Sequence, residues 1–354
     1  MTRQPPENQN LYAELSERVG AFELTRSFSS LTGSFTTKVV KDAAYWYFKT
    51  SEGPSGQREY YVGPDDESAR KTIARYREGR TEAEAALEQI WRLCAMLRLG
   101  GSLVTDTANA KVLSALANAG VFKLGAVLIG TQAFIVIGNL LGVRWQSTLQ
   151  TQDIDIAAHP TLRLVVHAMD ADVPKTLDSL QMGFLPVPGL SRGEPYTSFK
   201  VRGQPLRVEL LTPASGRRDE KPVPIPRLNT AAQPLEMLGY LMESPVRAPT
   251  INGGATLVNV PDAARYALHK LIISGRRPLH AQTKAAKDRQ QAAEIIEVLY
   301  EDRRGDLLLA IDALNRRPKS WGERAKVGLD KLPAELAEQC DFIRKRLVAY
   351  THKS

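Results

Sequence analysis

Hydrophobic and polar positions divide the chain into a β-rich start, a mixed centre and a helical end. Residues 35–40, 43–50 and 57–62 have the composition and alternation of strands and predict a small sheet. Apolar residues recur at helical spacing over residues 65–99 and over most of the chain after Pro261. In the centre, short apolar runs alternate with helical stretches. This pattern predicts an α+β protein whose mixed sheet has flanking helices.

Some finer features of the pattern also carry predictions. Thr81 is followed three residues later by Glu84, which is the spacing of a helix capping box. Residues 235–243 and 255–260 are expected to be extended. Gly100-Gly101-Ser102 interrupts the helical pattern and predicts a hinge. We therefore expect four parts: a β-rich N-terminal module (1–64), a helical connector (65–105), a central core (106–260) and a C-terminal helical domain (261–354).

Two carboxylates alternate with isoleucines in the centre of the chain. On a strand, Asp153 and Asp155 would share one face, because successive side chains point to opposite faces. Neighbouring carboxylates repel each other, and a cation between them relieves the repulsion. Their hard oxygen atoms suit Mg²⁺. Taken alone, such a pair could equally be solvated charge on an exposed strand.

A small-residue turn precedes these carboxylates. Gly130-Thr131 follows a predicted strand at 125–129 and comes before a helical stretch at 132–141. The start of a helix offers backbone N–H groups to phosphate oxygens. Glycine lets the backbone come close to a ligand, and the threonine adds a hydroxyl.

A third carboxylate follows on a predicted hairpin. Residues 198–201 and 206–211 read as its two strands, and Arg207, Glu209 and Leu211 would share one face. Glu209 could complete a metal site, or it could be an edge-strand charge paired with Arg207.

In this order, Gly130-Thr131, Asp153-Ile154-Asp155 and the strand carrying Glu209 resemble the DNA polymerase β-type nucleotidyltransferase superfamily. Residues 266–271 and 287–292 resemble helical segments of bacterial nucleotidyltransferases related to abortive-infection toxins, and the resemblance runs from about residue 110 to about 300. Thr131 replaces the usual serine or glycine but keeps a hydroxyl. Glu209 replaces the commoner aspartate but keeps the charge.

The resemblance implies a polymerase β-like core and a set of site residues. Asp153, Asp155 and Glu209 would be catalytic and would hold two Mg²⁺ ions. Nucleotide would be bound by the turn and by residues of the C-terminal helices, namely Gly130, Thr131, Lys270, Lys287 and Asp288. Lys270 would reach the β- or γ-phosphate unless it is a solvated lysine. Lys287 and Asp288 could instead cap their helix, and Arg276 and Arg277 are candidates for contact with phosphate or acceptor RNA.

Aromatic residues alternate along the second strand of the N-terminal sheet. Tyr45 and Tyr47 would lie on one face, and Trp46 and Phe48 on the other. Aromatic rings beside cations can stack nucleic-acid bases. The alternative is that one aromatic face packs on a neighbouring helix.

Composition adds limits on partners and compartment. The 354 residues carry a formal charge of +8 and a pI near 9.4, which favours polyanionic partners. No apolar run approaches the length of a membrane span, and the polar start lacks the pattern of a signal peptide. Cys94 and Cys340 have no metal-ligand spacing, which indicates a reducing cytoplasm.

The function expected from these features is cytoplasmic, Mg²⁺-dependent transfer of a nucleoside monophosphate from an NTP to a hydroxyl. The acceptor would be RNA, such as a tRNA end, and the toxin-like resemblance would bring an antitoxin partner with it. Nucleotidylation of a protein or a small molecule is a second possibility. A nucleic-acid-binding module without catalytic activity is a third.

Overall fold

A computed structural model describes residues 1–25, 33–40, 43–50, 58–146, 152–160, 171–188, 194–214, 221–275 and 282–347. These residues form a mixed α+β structure. The helices are α1 Pro6–Thr25, α2 Glu67–Leu99, α3 Thr107–Asn118, α4 Gly130–Leu140, α5 Val173–Ser179, α6 Leu238–Met242, α7 Ala263–Ser274, α8 Gln282–Asp302, α9 Arg304–Asn315, α10 Lys319–Leu329 and α11 Ala337–Arg346. The strands are β1 Thr2–Arg3, β2 Ser34–Val40, β3 Ala43–Thr50, β4 Arg58–Pro64, β5 Val127–Ile129, β6 Val143–Arg144, β7 Asp153–Ala157, β8 Phe184–Pro186, β9 Ser198–Val201, β10 Arg207–Pro213, β11 Val223–Ile225, β12 Thr230–Leu235, β13 Val246–Ile251 and β14 Ala255–Val260.

A mixed sheet lies at the centre of the described structure. Its main order is β11-β12-β10-β7-β5, with β9 paired to the start of β10 and β8 paired to β9. The neighbours β7 and β10 run parallel, as do β10 and β12, whereas β5 is antiparallel to β7. The predicted hairpin of β9 and β10 is confirmed.

Alternation along β7 and β10 separates the core from the candidate site. Ile154 and Ile156 on β7 are completely buried, as are Val208 and Leu210 on β10. The acidic residues between them therefore lie on the opposite face. Burial of these apolar side chains stabilises the sheet and fixes its register, because a slip of one residue would turn the carboxylates into the core.

The N-terminal strands β2, β3 and β4 form the predicted small sheet, and their pairing is antiparallel. Phe35 and Phe48 contact Tyr76 of α2, with ring centroids 5.1 and 5.5 Å apart. This aromatic face thus packs on a helix, as one of the two interpretations predicts. The other face carries Tyr47 and the exposed Tyr61, whose ring centroids are 5.6 Å apart. Residues 51–56, whose sequence indicates a turn between the second and third strands, lie outside the described residues.

The first helix connects the start of the chain to its later strands. α1 packs on α2, β13 and β14. The Tyr12 hydroxyl donates a hydrogen bond of 2.9 Å to the carbonyl of Pro249. The proposed division into four parts stays a prediction.

The capping box at Thr81 is wrong. α2 begins at Glu67, where the Asp66 side chain accepts from the backbone N–H of Ala69. Thr81 lies inside this helix and donates its hydroxyl to the carbonyl of Arg77. A cap about four turns earlier therefore satisfies the helix start, and the helical pattern continues through Thr81 without interruption.

The extended stretch predicted over 235–243 is also wrong for most of its length. β12 ends at Leu235, and Leu238–Met242 form the short helix α6. Tyr240 on this helix is completely buried and donates its hydroxyl to the carbonyl of Ala310, 2.9 Å away. Tertiary packing therefore overrides the local β pattern here. Within the described part of the chain, no helix has the length and apolarity needed to cross a membrane.

Candidate active site

The three predicted carboxylates lie on two adjacent parallel strands. The register pairs Asp153 of β7 with Arg207 of β10, and Asp155 with Glu209. Directly opposed residues on neighbouring strands project from the same face about 5 Å apart. The structure therefore brings Asp155 and Glu209 together across 54 positions of sequence, with Asp153 two residues before Asp155 on the same face.

Glu209 has a cationic neighbour on its own strand. Arg207 Nε lies 2.8 Å from Glu209 Oε1, and Arg207 Nη2 donates to Ser198 Oγ on β9 at 3.3 Å. The ion pair foreseen as an alternative for Glu209 is thus present. However, β10 is an interior strand, with β7 on one side and β9 and β12 on the other. Glu209 therefore combines an ion pair with a position beside Asp155.

The surroundings of Asp155 disfavour the charged form of its carboxyl group. Burial is the largest cause that raises its pKa, the negative charges of Glu209 and Asp153 add to it, and the net result is a pKa of about 7 instead of 3.8. Lys270 and Arg207 act in the opposite direction without cancelling the effect. A cation bound beside Asp155 would offset both the burial of its charge and the repulsion from Glu209 and Asp153.

Gly130 lies directly against Asp155. Ile129, the residue before it, pairs with Asp155 in the β5–β7 register. Gly130 has φ +67°, and a Cβ atom added to it would lie 2.1 Å from Asp155 Oδ2. Both the backbone conformation and the close approach therefore require glycine. α4 begins at this residue, and no described side chain caps that end.

Two lysines from the C-terminal helices approach the turn differently. Lys270 of α7 forms an ion pair of 2.7 Å with Asp288 of α8, and both side chains are largely buried. Lys287 Nζ donates to Thr131 Oγ1 at 3.3 Å. Burial lowers the pKa of Lys287, and repulsion from Lys270 lowers it further. Lys287 is thus the lysine in direct contact with the Gly-Thr turn.

The helix-cap alternative for Lys287 and Asp288 is wrong. α8 begins at Gln282, so both residues lie in its second turn, beyond the cap positions. Arg276 and Arg277 lie outside the described residues.

Sequence reasoning assigned no role to one residue of this cluster. Tyr266 precedes Lys270 by four residues on α7, which places both on one helix face. The Tyr266 hydroxyl donates to the carbonyl of Gly130 at 2.9 Å. The four-residue spacing of Tyr266 and Lys270 is the signal that the sequence offers. The same pattern is typical of an ordinary core tyrosine.

The structure therefore groups all eight predicted site residues around the junction of β7, β10 and the start of α4. Across the described ranges, no three His, Cys, Asp or Glu side chains already converge closely enough to hold a metal ion. What the geometry provides is a carboxylate pair in register, a third carboxylate nearby and a glycine turn with a lysine beside it.

Comparison with known proteins agrees with this arrangement. The sequence pattern of a nucleotidyltransferase family matches residues 107–314, which are 208 of the 354 residues. The matched region runs from the start of α3 almost to the end of α9 and includes every residue of the candidate site. No curated protein and no solved structure matches the chain. Because the match covers more than half of the chain, the protein belongs to this nucleotidyltransferase family.

Proposed function

We propose that the protein is a Mg²⁺-dependent enzyme that transfers a nucleoside monophosphate from an NTP to a hydroxyl group of RNA. The observation that carries this proposal is the register of β7 and β10, which sets Asp155 opposite Glu209 and beside Gly130. Separate parts of the sequence supply these residues, and the family match gives their proximity a chemical meaning. The parallel strand pair and the helix that follows the glycine turn also support a polymerase β-like core.

The residues of the site fit a divalent cation. Carboxylate oxygens are the ligands that Mg²⁺ prefers. The raised pKa of Asp155 reflects burial first and the negative charges of Glu209 and Asp153 second, and a bound cation would offset both. Asp153, Asp155 and Glu209 would hold two ions. The ion pair with Arg207 is formed through the Oε1 atom of Glu209. When bound, the ions would lower the pKa of the acceptor hydroxyl and neutralise triphosphate charge.

The Gly-Thr turn and Lys287 would bind the triphosphate. The first N–H groups of α4 have no partner within the helix and can donate to phosphate oxygens. Lys287 would leave the Thr131 hydroxyl, 3.3 Å away, to contact phosphate as a compact positive charge. Lys270 and Asp288 would act from behind this layer, because their ion pair fixes α8 against α7.

The transfer itself consists of one displacement. The acceptor oxygen forms a bond to the α-phosphorus while the bond from that phosphorus to the bridging oxygen breaks, and pyrophosphate leaves. Glu209 would accept the proton of the attacking hydroxyl. Positioning and charge stabilisation would supply most of the rate enhancement.

RNA is the acceptor class that the remaining features favour. The chain has a net charge of +8. In addition, the N-terminal sheet carries Tyr47 and the exposed Tyr61 on one face, with Lys38 Nζ 4.9 Å from the Tyr47 ring centroid. Rings beside cations can stack bases without reading sequence. The toxin-like role and an antitoxin partner stay predictions.

The proposal can be tested by incubating the protein with α-labelled NTPs, Mg²⁺ and total RNA. We expect label on RNA with the wild-type protein and none with Asp155→Asn. Asp341→Asn, which removes an exposed carboxylate on α11, is the matched control and should label as wild type does. Label only on protein or on a small molecule would overturn the RNA assignment but keep the transfer. RNA binding without any transfer would instead indicate a non-catalytic binding module.

A further inference from the structure

A buried tyrosine lies beneath the Gly-Thr turn. Tyr266 is 1% exposed and donates its hydroxyl to the Gly130 carbonyl at 2.9 Å. The completely buried Gln291 lies next to it, with Oε1 3.4 Å from the same hydroxyl. The hydroxyl therefore contacts the one peptide that joins the two residues of the turn.

Fixing this carbonyl also fixes the following N–H group. Every peptide bond in the described part of the chain is trans, so the Gly130 carbonyl and the Thr131 N–H point in opposite directions. With its carbonyl bonded to Tyr266, the peptide must direct the Thr131 N–H away from α7. Gly130, at φ +67°, departs from the helical conformation at the start of α4, and the Tyr266 hydroxyl adds a restraint on its peptide beyond the hydrogen bonds of the helix.

The tyrosine ring is itself held in place. It stacks on Phe134 of α4, with centroids 6.1 Å apart and planes inclined by 13°. Phe134 stacks in turn on Trp145, whose centroid is 4.5 Å away. Lys270 Nζ lies 5.2 Å from the centroid of the Tyr266 ring. The ring therefore has packing partners on α4 and on its own helix, and its hydroxyl has a defined position.

We infer that Tyr266 is a positioning residue for the transfer reaction: its hydroxyl holds the Gly130 peptide so that the Thr131 N–H faces the triphosphate. This inference rests on the proposed function for its consequence in catalysis. Its structural part, the orientation of the peptide, can be measured without any substrate.

Tyr266→Phe tests the inference, because it removes the hydroxyl and keeps the ring. Tyr240→Phe is the matched control: Tyr240 is equally buried, its hydroxyl also donates to a backbone carbonyl at 2.9 Å, and an arginine lies over its ring. That carbonyl belongs to Ala310 of α9, not to the turn. Loss of one buried hydrogen bond should lower the melting temperature of both variants by a similar few degrees.

The two variants should differ at the turn. In Tyr266→Phe we expect faster amide hydrogen exchange over residues 130–133 and a KM for the NTP that is about three- to tenfold higher, the effect of one hydrogen bond. In Tyr240→Phe both should match wild type. Unchanged exchange at 130–133 in Tyr266→Phe would overturn the inference, as would a KM no higher than that of Tyr240→Phe. If the wild-type protein transfers no nucleotide, the proposed function fails, and the exchange measurement still decides the orientation of the peptide.

Discussion

At the scale of single residues, Gly130 leaves little room for any side chain. It combines a left-handed backbone with a distance of only 2.1 Å between its would-be Cβ atom and Asp155 Oδ2. Any side chain would therefore strain the backbone and also displace a proposed metal ligand. These two effects can be separated, because Gly125 also has a left-handed backbone but has no close contact at the position of a Cβ atom.

Gly130→Ala should reduce nucleotide transfer by about a hundredfold or more, because moving a catalytic group by about 1 Å can cost that much. Gly125→Ala is the control. Gly125 has φ +89°, and a Cβ atom there would meet nothing within 4 Å. Both variants should melt at lower temperature, since a left-handed alanine costs about 1–2 kcal/mol. Equal activity in the two variants would show that contact with Asp155 is irrelevant to transfer.

Asp155 makes the stability of the metal-free protein depend on pH. Its folded-state pKa is raised from 3.8 to about 7, chiefly by burial and then by Glu209 and Asp153. The folded protein therefore binds this proton more tightly than the unfolded chain does. This proton therefore adds to the free energy of unfolding in full below pH 3.8, and its contribution is lost as pH rises towards 7.

We expect the wild-type protein in chelator to lose more unfolding free energy between pH 4 and 7 than Asp155→Asn does. Urea unfolding at several pH values, with the two proteins compared at each, measures this difference. Mg²⁺ should raise the stability of the wild type near pH 7 more than that of the variant, because binding to the folded state alone stabilises it. If the free energy of unfolding changed with pH in the same way in both proteins, the raised pKa of Asp155 would not be the cause of the pH dependence.

At the scale of elements, α7 and α8 are joined by an ion pair with little access to water. The side chains of Lys270 and Asp288 are 13% and 4% exposed, and their charged atoms are 2.7 Å apart. Removing one partner would leave the other charge buried and unpaired, whereas removing both need not. The pair thus adds to the contact between the two helices an interaction that needs both residues.

Lys270→Met should destabilise the protein by about 3–5 kcal/mol, and adding Asp288→Leu should recover most of this loss. Arg18→Met provides the comparison, because it breaks an exposed pair with Glu14 on α1 and should cost less than about 1 kcal/mol. Urea midpoints of the four proteins measure these effects. A double variant as unstable as Lys270→Met would mean that the lysine stabilises the fold through contacts other than this pair.

The elements also show what the sequence could and could not predict. β7, β10 and α7 follow from the apolar pattern of the sequence, because the apolar positions of each supply most of its buried residues. The pairing of Asp155 with Glu209 could be expected only through the family resemblance, since no local pattern specifies which distant strands become neighbours. The role of Tyr266 and the helix α6 escaped prediction for the same reason: each depends on a contact with a distant residue, Gly130 in one case and Ala310 in the other.

At the scale of the whole molecule, the family match leaves the N-terminal sheet and α2 outside its range. Tyr60 and Tyr61 are consecutive residues of β4, so they project from opposite faces of this sheet. They are 50% and 59% exposed, respectively. Tyr61 belongs to the face with Tyr45 and Tyr47, to which its ring is close. This pair of neighbours allows the two faces to be compared with almost identical variants.

If the face containing Tyr61 stacks RNA bases, Tyr61→Ser should weaken RNA binding by about 1–3 kcal/mol. Tyr60→Ser should leave binding unchanged, and neither variant should alter the KM for the NTP. Fluorescence anisotropy with labelled RNA at two fixed salt concentrations measures the affinities. Equal losses in the two variants, or none in either, would exclude this face as the stacking surface.

The shape of α2 has a consequence for substrate choice. This helix buries side chains near its start, at Ala69, Ile73 and Tyr76, and again from Ile90 onward, but none of the residues between Tyr76 and Ile90, all of which the structure describes. At 1.5 Å per residue this stretch measures about 20 Å. The N-terminal sheet packs on Tyr76, near the start of this stretch. An RNA that contacts both this sheet and the candidate active site must span at least that length. The length of α2 would then set a minimum length for an efficient acceptor. RNA oligonucleotides shorter than this would be modified less efficiently than long ones, whatever their sequence.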